Sequence, residues 1–288
     1  MSGPRVDWSP VRQYLCPPTL MDVRDFLGLR PTHNPHRWVL PVAPGISTSA
    51  NFLFGGCGLA ACVAALETTT GRPLVWATAQ YLSYAKTDSI LDIDVIVAVA
   101  GRHVTQARAV GHVNDREILT VNAALGRREF PVEEQWPAMP DVPPPADCPP
   151  LPWPASDESI ASRFDLRVAR GNPRAVRDGT PSADGHSALW VHVAEGLDIS
   201  SGALAIVADW MPSGIGLALG RWAGGNSLDN TIRILRPTTT AWVLCDIQIH
   251  GVHAGFAHGL IHLWSEDGVL MATGGQSAIV RLFGDPPA

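Results

Sequence analysis

The chain repeats itself once. Arg37-Trp38-Val39-Leu40 lines up with Leu189-Trp190-Val191-His192, and the turn before Ile118-Leu119 lines up with the turn before Val269-Leu270, both at an offset of about 151 to 152 residues. Between these anchors, Phe52 to Glu67 corresponds to an apolar segment at 202 to 211, and Val75 to Tyr84 corresponds to a strand beginning near Ser227. The fold must therefore be built twice from one unit: a strand, a helix and four further strands.

Periodicity fills in the unit. In the second copy, Gly202-Ala-Leu-Ala-Ile-Val-Ala-Asp209-Trp-Met211 reads as a helix, with Ser200 and Ser201 as N-caps and Pro212 as its end. Asn226 to Pro237 then alternates, with Thr231, Arg233 and Leu235 on one side and Ile232 and Ile234 on the other. Further strands follow at Ala241 to Val252, Phe256 to Trp264 and, after an Asp267-Gly268 turn, Val269 to Phe283. In the first copy, Gly55-Gly56-Cys57-Gly58 leads into Leu59 to Glu67, a segment apolar on every side, which a helix tolerates only when other structure wraps it. The strands that could wrap it are Leu74 to Tyr84, Ile90 to Ala100, Arg102 to Val113 and Glu117 to Arg127. Asp92 and Asp94 alternate with Leu91, Ile93 and Val95, so that sheet has one wet face and one core face.

Outside the copies, residues 1–35 form a polar lead-in with one short helical candidate, Leu20 to Leu29, read as a lid or packing helix. Ten prolines between Pro131 and Pro154 mark an extended linker. The expected organisation is a lead-in plus first unit over 1–130, a linker over 131–160 and a second unit over 161–288.

Composition narrows the function. With 46% hydrophobic and 17% charged residues, the chain can bury two small cores. A net charge of -6 without a basic cluster argues against nucleic acid or an anionic membrane surface as a partner, leaving small molecules. Cys16, Cys57, Cys62, Cys148 and Cys245 make an odd set without a Cys-x-x-Cys pair, so they read as reduced, mostly buried thiols. No apolar run is expected to approach the roughly 20 residues of a membrane span, and a cytoplasmic protein is expected.

A long apolar helix rolled in an antiparallel sheet, twice in one chain, resembles a double hotdog, an α+β fold. Phe54-Gly55-Gly56, Ala208-Asp209, Ser227-Leu228-Asp229, Arg236-Pro237 and Glu266-Asp-Gly-Val-Leu270 leading to Gln276 resemble, in order and spacing, the acyl-CoA thioesterase II (TesB-like) family. The resemblance spans about residues 20 to 285 and implies an acyl-CoA substrate, a place in fatty acid and lipid metabolism, no cofactor and a homo-oligomer, dimer or larger. Open sheet edges that need covering point to the same self-association. It also implies three catalytic residues, Asp209, Ser227 and Gln276. The family's first helix usually reads Gly-Gly-Gln where this chain has Gly56-Cys57, so that glutamine's place beside the substrate is expected to be empty, with a different acyl preference or rate.

Thioester hydrolysis needs a group that deprotonates water and donors that hold the developing oxyanion. Asp209, flanked by Val207, Ala208, Trp210 and Met211, is expected to be desolvated and hence more basic than a solvated carboxylate. Ser227 and Gln276 can fix the water without adding charge, and the backbone N–H groups of Gly55, Gly56 and Cys57 are candidate oxyanion donors. Asp229 is expected to cap the strand entry by hydrogen bonds to nearby backbone.

Competing readings are weaker. Gly56-Cys-Gly58-Leu-Ala-Ala61 fits a dinucleotide fingerprint but lacks the parallel βαβ repeats and the acidic residue that binding needs. His250, His253, His258 and His262 read as packing or interface residues, and no metal is expected. The tryptophans read as core and interface residues, with one or two beside an acyl tunnel. Two alternatives to hydrolysis stay open: a silent acyl-CoA-binding protein, kept open by the missing glutamine at Cys57, and an acyl-thioester hydratase or dehydratase, disfavoured by the lack of a helix-borne histidine.

Overall fold

The computed structural model describes residues 20–151, 158–172, 179–193 and 196–284. The expectations for residues 1–19, including Cys16, and for the last linker prolines lie outside these. The first copy contains β1 (Arg30–Pro31), β2 (Arg37–Pro41), α2 (Gly55–Thr70), β3 (Leu74–Tyr81), β4 (Ile90–Ala100), β5 (Val104–Val113) and β6 (Arg116–Gly126), preceded by α1 (Val23–Leu27). The second contains β7 (Phe164–Arg170), β8 (His186–Val193), α3 (Ser201–Ala208), α4 (Ser213–Leu219), β9 (Ala223–Ile234), β10 (Trp242–His253), β11 (Phe256–Ser265) and β12 (Leu270–Leu282).

Among the described residues, twelve strands form one sheet, in the order β1-β2-β4-β5-β6-β3-β9-β12-β11-β10-β8-β7, and every pairing between them is antiparallel. The order reads the same from either end once each first-copy strand is matched to its second-copy counterpart, which is what a duplicated unit joined edge to edge requires. The join is β3 against β9, where Thr78 faces Thr231 and their hydroxyls lie 2.7 Å apart. The two copies thus share a sheet and, beneath it, a core.

The helices occupy that core. Every residue of α2 from Gly56 to Leu66 is buried, as an all-round apolar helix demands. It ends at Gly71, whose left-handed φ of 65° closes the helix with its N–H on Glu67 O. Ser200 caps α3 by accepting from the Ala203 N–H, as its position suggested. Pro212, in contrast, does not end the apolar stretch: with αR backbone it is the N-cap of α4 and only bends the chain between two short helices. A proline is tolerated there because a helix start has no use for its missing N–H. Taken together, Ser201–Leu219 is long and apolar enough to cross a membrane, which corrects the expectation that no run approaches that length. Its most apolar window is 83% buried inside the protein, so the apolar surface is used by the core.

α1 is a packing helix, with Val23, Phe26 and Leu27 buried between an Asp22 N-cap and a Gly28 C-cap. The proline-rich segment is more than an extended spacer. Met139, Val142 and Cys148 pack on the outer face of the second copy against Trp190, Leu244 and Trp264, and Trp190 Nε1 donates to Pro143 O at 2.9 Å. Gln135 brackets the β11–β12 turn, giving Nε2 to Gly268 O and taking the Leu270 N–H, each at 2.9 Å. Its last described residues cover the edge of β7, with Leu151 N on Leu166 O and Val168 N on Pro149 O. That edge is paired within the chain, so the need to cover it gives no reason for self-association.

Candidate active site

The site lies where the start of α2 meets the end of α3. The two glycines expected to matter are required there for a steric reason. A Cβ on Gly56 would stand 2.8 Å from Asp209 Cβ and 2.9 Å from Ile206 O, and one on Gly55 would stand 2.9 Å from Asp209 Oδ2 and 3.1 Å from the Tyr81 hydroxyl. Only a bare backbone lets the helices approach this closely.

That approach lets the Gly56 N–H donate to Asp209 Oδ2 at 2.6 Å. Gly55, Gly56 and Cys57 open the helix and so have no partners inside it, while the Gly58 N–H reaches Phe54 O at 3.1 Å. Asp209 takes the middle one of the three. The oxyanion role expected for Gly56 is therefore contested by the carboxylate, and the N–H groups of Gly55 and Cys57 are the ones outside that bond.

The other carboxylate oxygen meets two amides. Gln276 Nε2 donates to Asp209 Oδ1 at 3.0 Å and Asn230 Nδ2 donates to it at 3.1 Å. Gln276 and Asn230 are direct cross-strand partners on β12 and β9, so a single rung of the ladder supplies both. The Ser227 hydroxyl donates to Gln276 Oε1 at 3.3 Å, which turns the amide so that its N–H₂ faces Asp209. The structure thus brings Asp209, Ser227 and Gln276 into one hydrogen-bonded chain.

Ser227 reaches this place through a β-bulge. Gln276 pairs with Asn230 and Ser277 with Asp229, but Ala278 pairs with Ser227, so Leu228 is an extra residue. Without it, strict alternation would put Leu228 on the inner face and turn Ser227 outward. The carboxylate of Asp229 accepts the Ser277 N–H at 2.8 Å across the irregularity. It thus bonds backbone of the neighbouring strand from the middle of β9, and not at the strand entry where it was expected to cap.

Burial sets the charge. Asp209 is 6% exposed, and desolvation pushes its carboxyl up to about 7 against the pull of the Gly56, Gln276 and Asn230 donors and the nearby Ser227 hydroxyl. Cys57, which replaces the family's glutamine, is fully buried, and burial pushes its thiol far above neutral, so it is no nucleophile. Two residues here were not foreseen. Asn230 escaped notice although alternation places it with Ile232 on the apolar face, where a polar side chain is itself a signal. Tyr81 gives its hydroxyl proton to Gly55 O at 2.9 Å, and nothing local in the sequence marks it.

The family model of the acyl-CoA thioesterase C-terminal domain matches residues 145–280. No curated protein matches the sequence. Among solved structures, a proposed thioesterase from Novosphingobium aromaticivorans is 34% identical, with 89% of this chain and 98% of that one covered at a TM-score of 0.79. A protein of unknown function with a hot dog fold from Alicyclobacillus acidocaldarius is 21% identical, covering 91% and 98% at a TM-score of 0.79. An acyl-CoA thioesterase II, TesB2, from Mycobacterium marinum is 18% identical, covering 91% and 99% at 0.70. The last two, at such identities, speak for the fold alone. With the double hotdog in place and the first of these relatives covered almost end to end, the chain belongs to the acyl-CoA thioesterase family.

Proposed function

We propose that the protein hydrolyses acyl-CoA thioesters to free acid and CoA by direct attack of water. The observation that carries this is the carboxyl of Asp209, buried, titrating at about 7 and held by donors on both oxygens. A carboxylate offers about four lone-pair positions, two on each oxygen. Gln276 and Asn230 use both on Oδ1 and Gly56 uses one on Oδ2. One remains, on Oδ2, and it is the place for a water proton.

The reaction then runs in two steps. Asp209 Oδ2 takes a proton from water as the oxygen attacks the thioester carbonyl carbon, and the carbonyl oxygen becomes an oxyanion facing the Gly55 and Cys57 N–H groups at the positive end of α2. The intermediate collapses by breaking its C–S bond, and the departing CoA thiolate recovers the proton from Asp209. Ser227, hydrogen-bonded to Gln276 and with no histidine bonded to it among the described residues, orients the water and forms no acyl-enzyme.

The test is release of free thiol from a panel of acyl-CoAs, comparing the protein with its Asp209→Ala variant. Turnover in the first and its loss in the second supports hydrolysis. Binding without thiol release in either supports a silent acyl-CoA-binding protein, and a change in enoyl absorbance with thiol retained supports a hydratase.

A further inference from the structure

Asn230 is completely buried, yet only one end of its amide is satisfied. Its Nδ2 donates to Asp209 Oδ1, whereas its Oδ1 has no hydrogen-bond partner among the described residues. The Tyr81 phenol lies against it, but the single phenolic proton goes to Gly55 O. A buried amide kept for packing or for the sheet would have both ends paired, since an orphaned acceptor opposes folding. This one gives up an acceptor in order to donate to a carboxylate.

We propose that Asn230 is a positioning residue for Asp209: together with Gln276 it fills Oδ1, so that Oδ2, beside Gly55, is the oxygen that takes the proton from water. Gln276 alone cannot do this, because Oδ1 has two lone pairs and one amide N–H fills one. Without Asn230 a water has a second place to bind, on the strand side of the carboxylate and away from the α2 terminus. The anion also loses a donor. Among the described residues, the other titratable groups facing Asp209 are Cys57 of α2 and Tyr81 of β3. Burial drives both well above neutral, so neither changes charge where Asp209 titrates.

This inference rests on the hydrolase reading, and two measurements separate their fates. The first is the pH dependence of kcat and KM for Asn230→Ala and for the isosteric Asn230→Asp. The second is titration of the Asp209 carboxyl by carbon-13 NMR of aspartate-labelled protein, assigned with Asp209→Asn. Asn230→Ala should lower kcat by about tenfold with little change in KM, and move both the acid limb and the carbon-13 titration upward by about half a pH unit or more. Asn230→Asp, which sets a second carboxyl against Oδ1, should move both further, and it carries the test if the alanine variant does not fold. Turnover by the unmodified protein combined with unmoved kcat, acid limb and titration in folded variants overturns the role of Asn230 and leaves the hydrolase reading intact. Absence of turnover from every acyl-CoA overturns the hydrolase reading and the water-binding role with it, while an upward carbon-13 shift would still show that Asn230 holds the carboxylate.

Discussion

The Gly56 N–H donates to Asp209 Oδ2 over 2.6 Å, so the acid of the second copy caps the helix of the first. The helix terminus favours the anion and burial opposes it. Burial is the larger effect, and the carboxyl settles at about 7. The site is therefore a property of the seam, since neither copy holds both the open helix start and the acid.

The first consequence is kinetic. The base must be ionised to accept a proton, so kcat/KM should fall tenfold per pH unit below about 7 and level off above it. An ordinary solvated aspartate would place the same limb near pH 4. A pH–rate profile on any acyl-CoA that turns over distinguishes the two.

The second is a cost in stability. The folded carboxyl titrates at about 7 and the unfolded one near 3.8, so between these values the folded state holds a proton that the unfolded state has released. Stability from this group is greatest below the unfolded value, falls as pH rises through the window and is flat above it. The loss amounts to roughly 4 kcal/mol, at about 1.4 kcal/mol for each pH unit that the window spans. Asp209→Asn has no such proton to lose, so the drop across that window should vanish from its denaturant-unfolding curves, whatever its absolute stability.

The legible and illegible parts of the site divide on physical lines. The doubling, the wrapped helix and the strands were written in periodicity, because one face of each element meets water and the other does not. Asp209 was legible because an acid among Val207, Ala208 and Trp210 is out of place. The purpose of Gly55 and Gly56 was not, since it depends on how close α3 comes, and closeness between residues 153 positions apart leaves no local trace. Ser227 was found only by resemblance, because strict alternation does not foresee the extra residue at Leu228 that turns it inward. Pro212 misled for the opposite reason: a helix breaker in sequence became a helix start once α4 followed it.

The bulge gives a third prediction. Asp229 faces away from Asp209 and ties the Ser277 N–H where the register shifts. Asp229→Ala should leave that N–H unpaired and relax the bulge, costing activity by withdrawing Ser227. Ser227→Ala is expected to lower kcat by about tenfold to a hundredfold with thermal stability nearly unchanged. If Asp229 works through Ser227, the double variant should be scarcely worse than the poorer single one, and a double-mutant cycle in kcat decides this. Additive losses would mean that Asp229 acts elsewhere.

The two glycines should fail differently, because of what a new methyl group would strike. At Gly56 the obstacles within 3.0 Å are Asp209 Cβ, Ile206 O and Ile206 Cα, all fixed to the backbone of α3 or its end. Gly56→Ala can be accommodated only by moving one helix off the other, at a cost of about 1 to 3 kcal/mol in unfolding free energy, and activity should fall with it. At Gly55 the nearest atoms belong to side chains, Asp209 Oδ2 at 2.9 Å and the Tyr81 ring and hydroxyl at 3.1 Å. Those can turn aside, so Gly55→Ala should cost less stability. It should nonetheless abolish most of the turnover, because the displaced oxygen is the one with a lone pair left for water. Equal stability losses at the two positions would show that the side chains around Gly55 do not yield, and full activity in Gly55→Ala would show that the reacting water sits on the other side of the carboxylate.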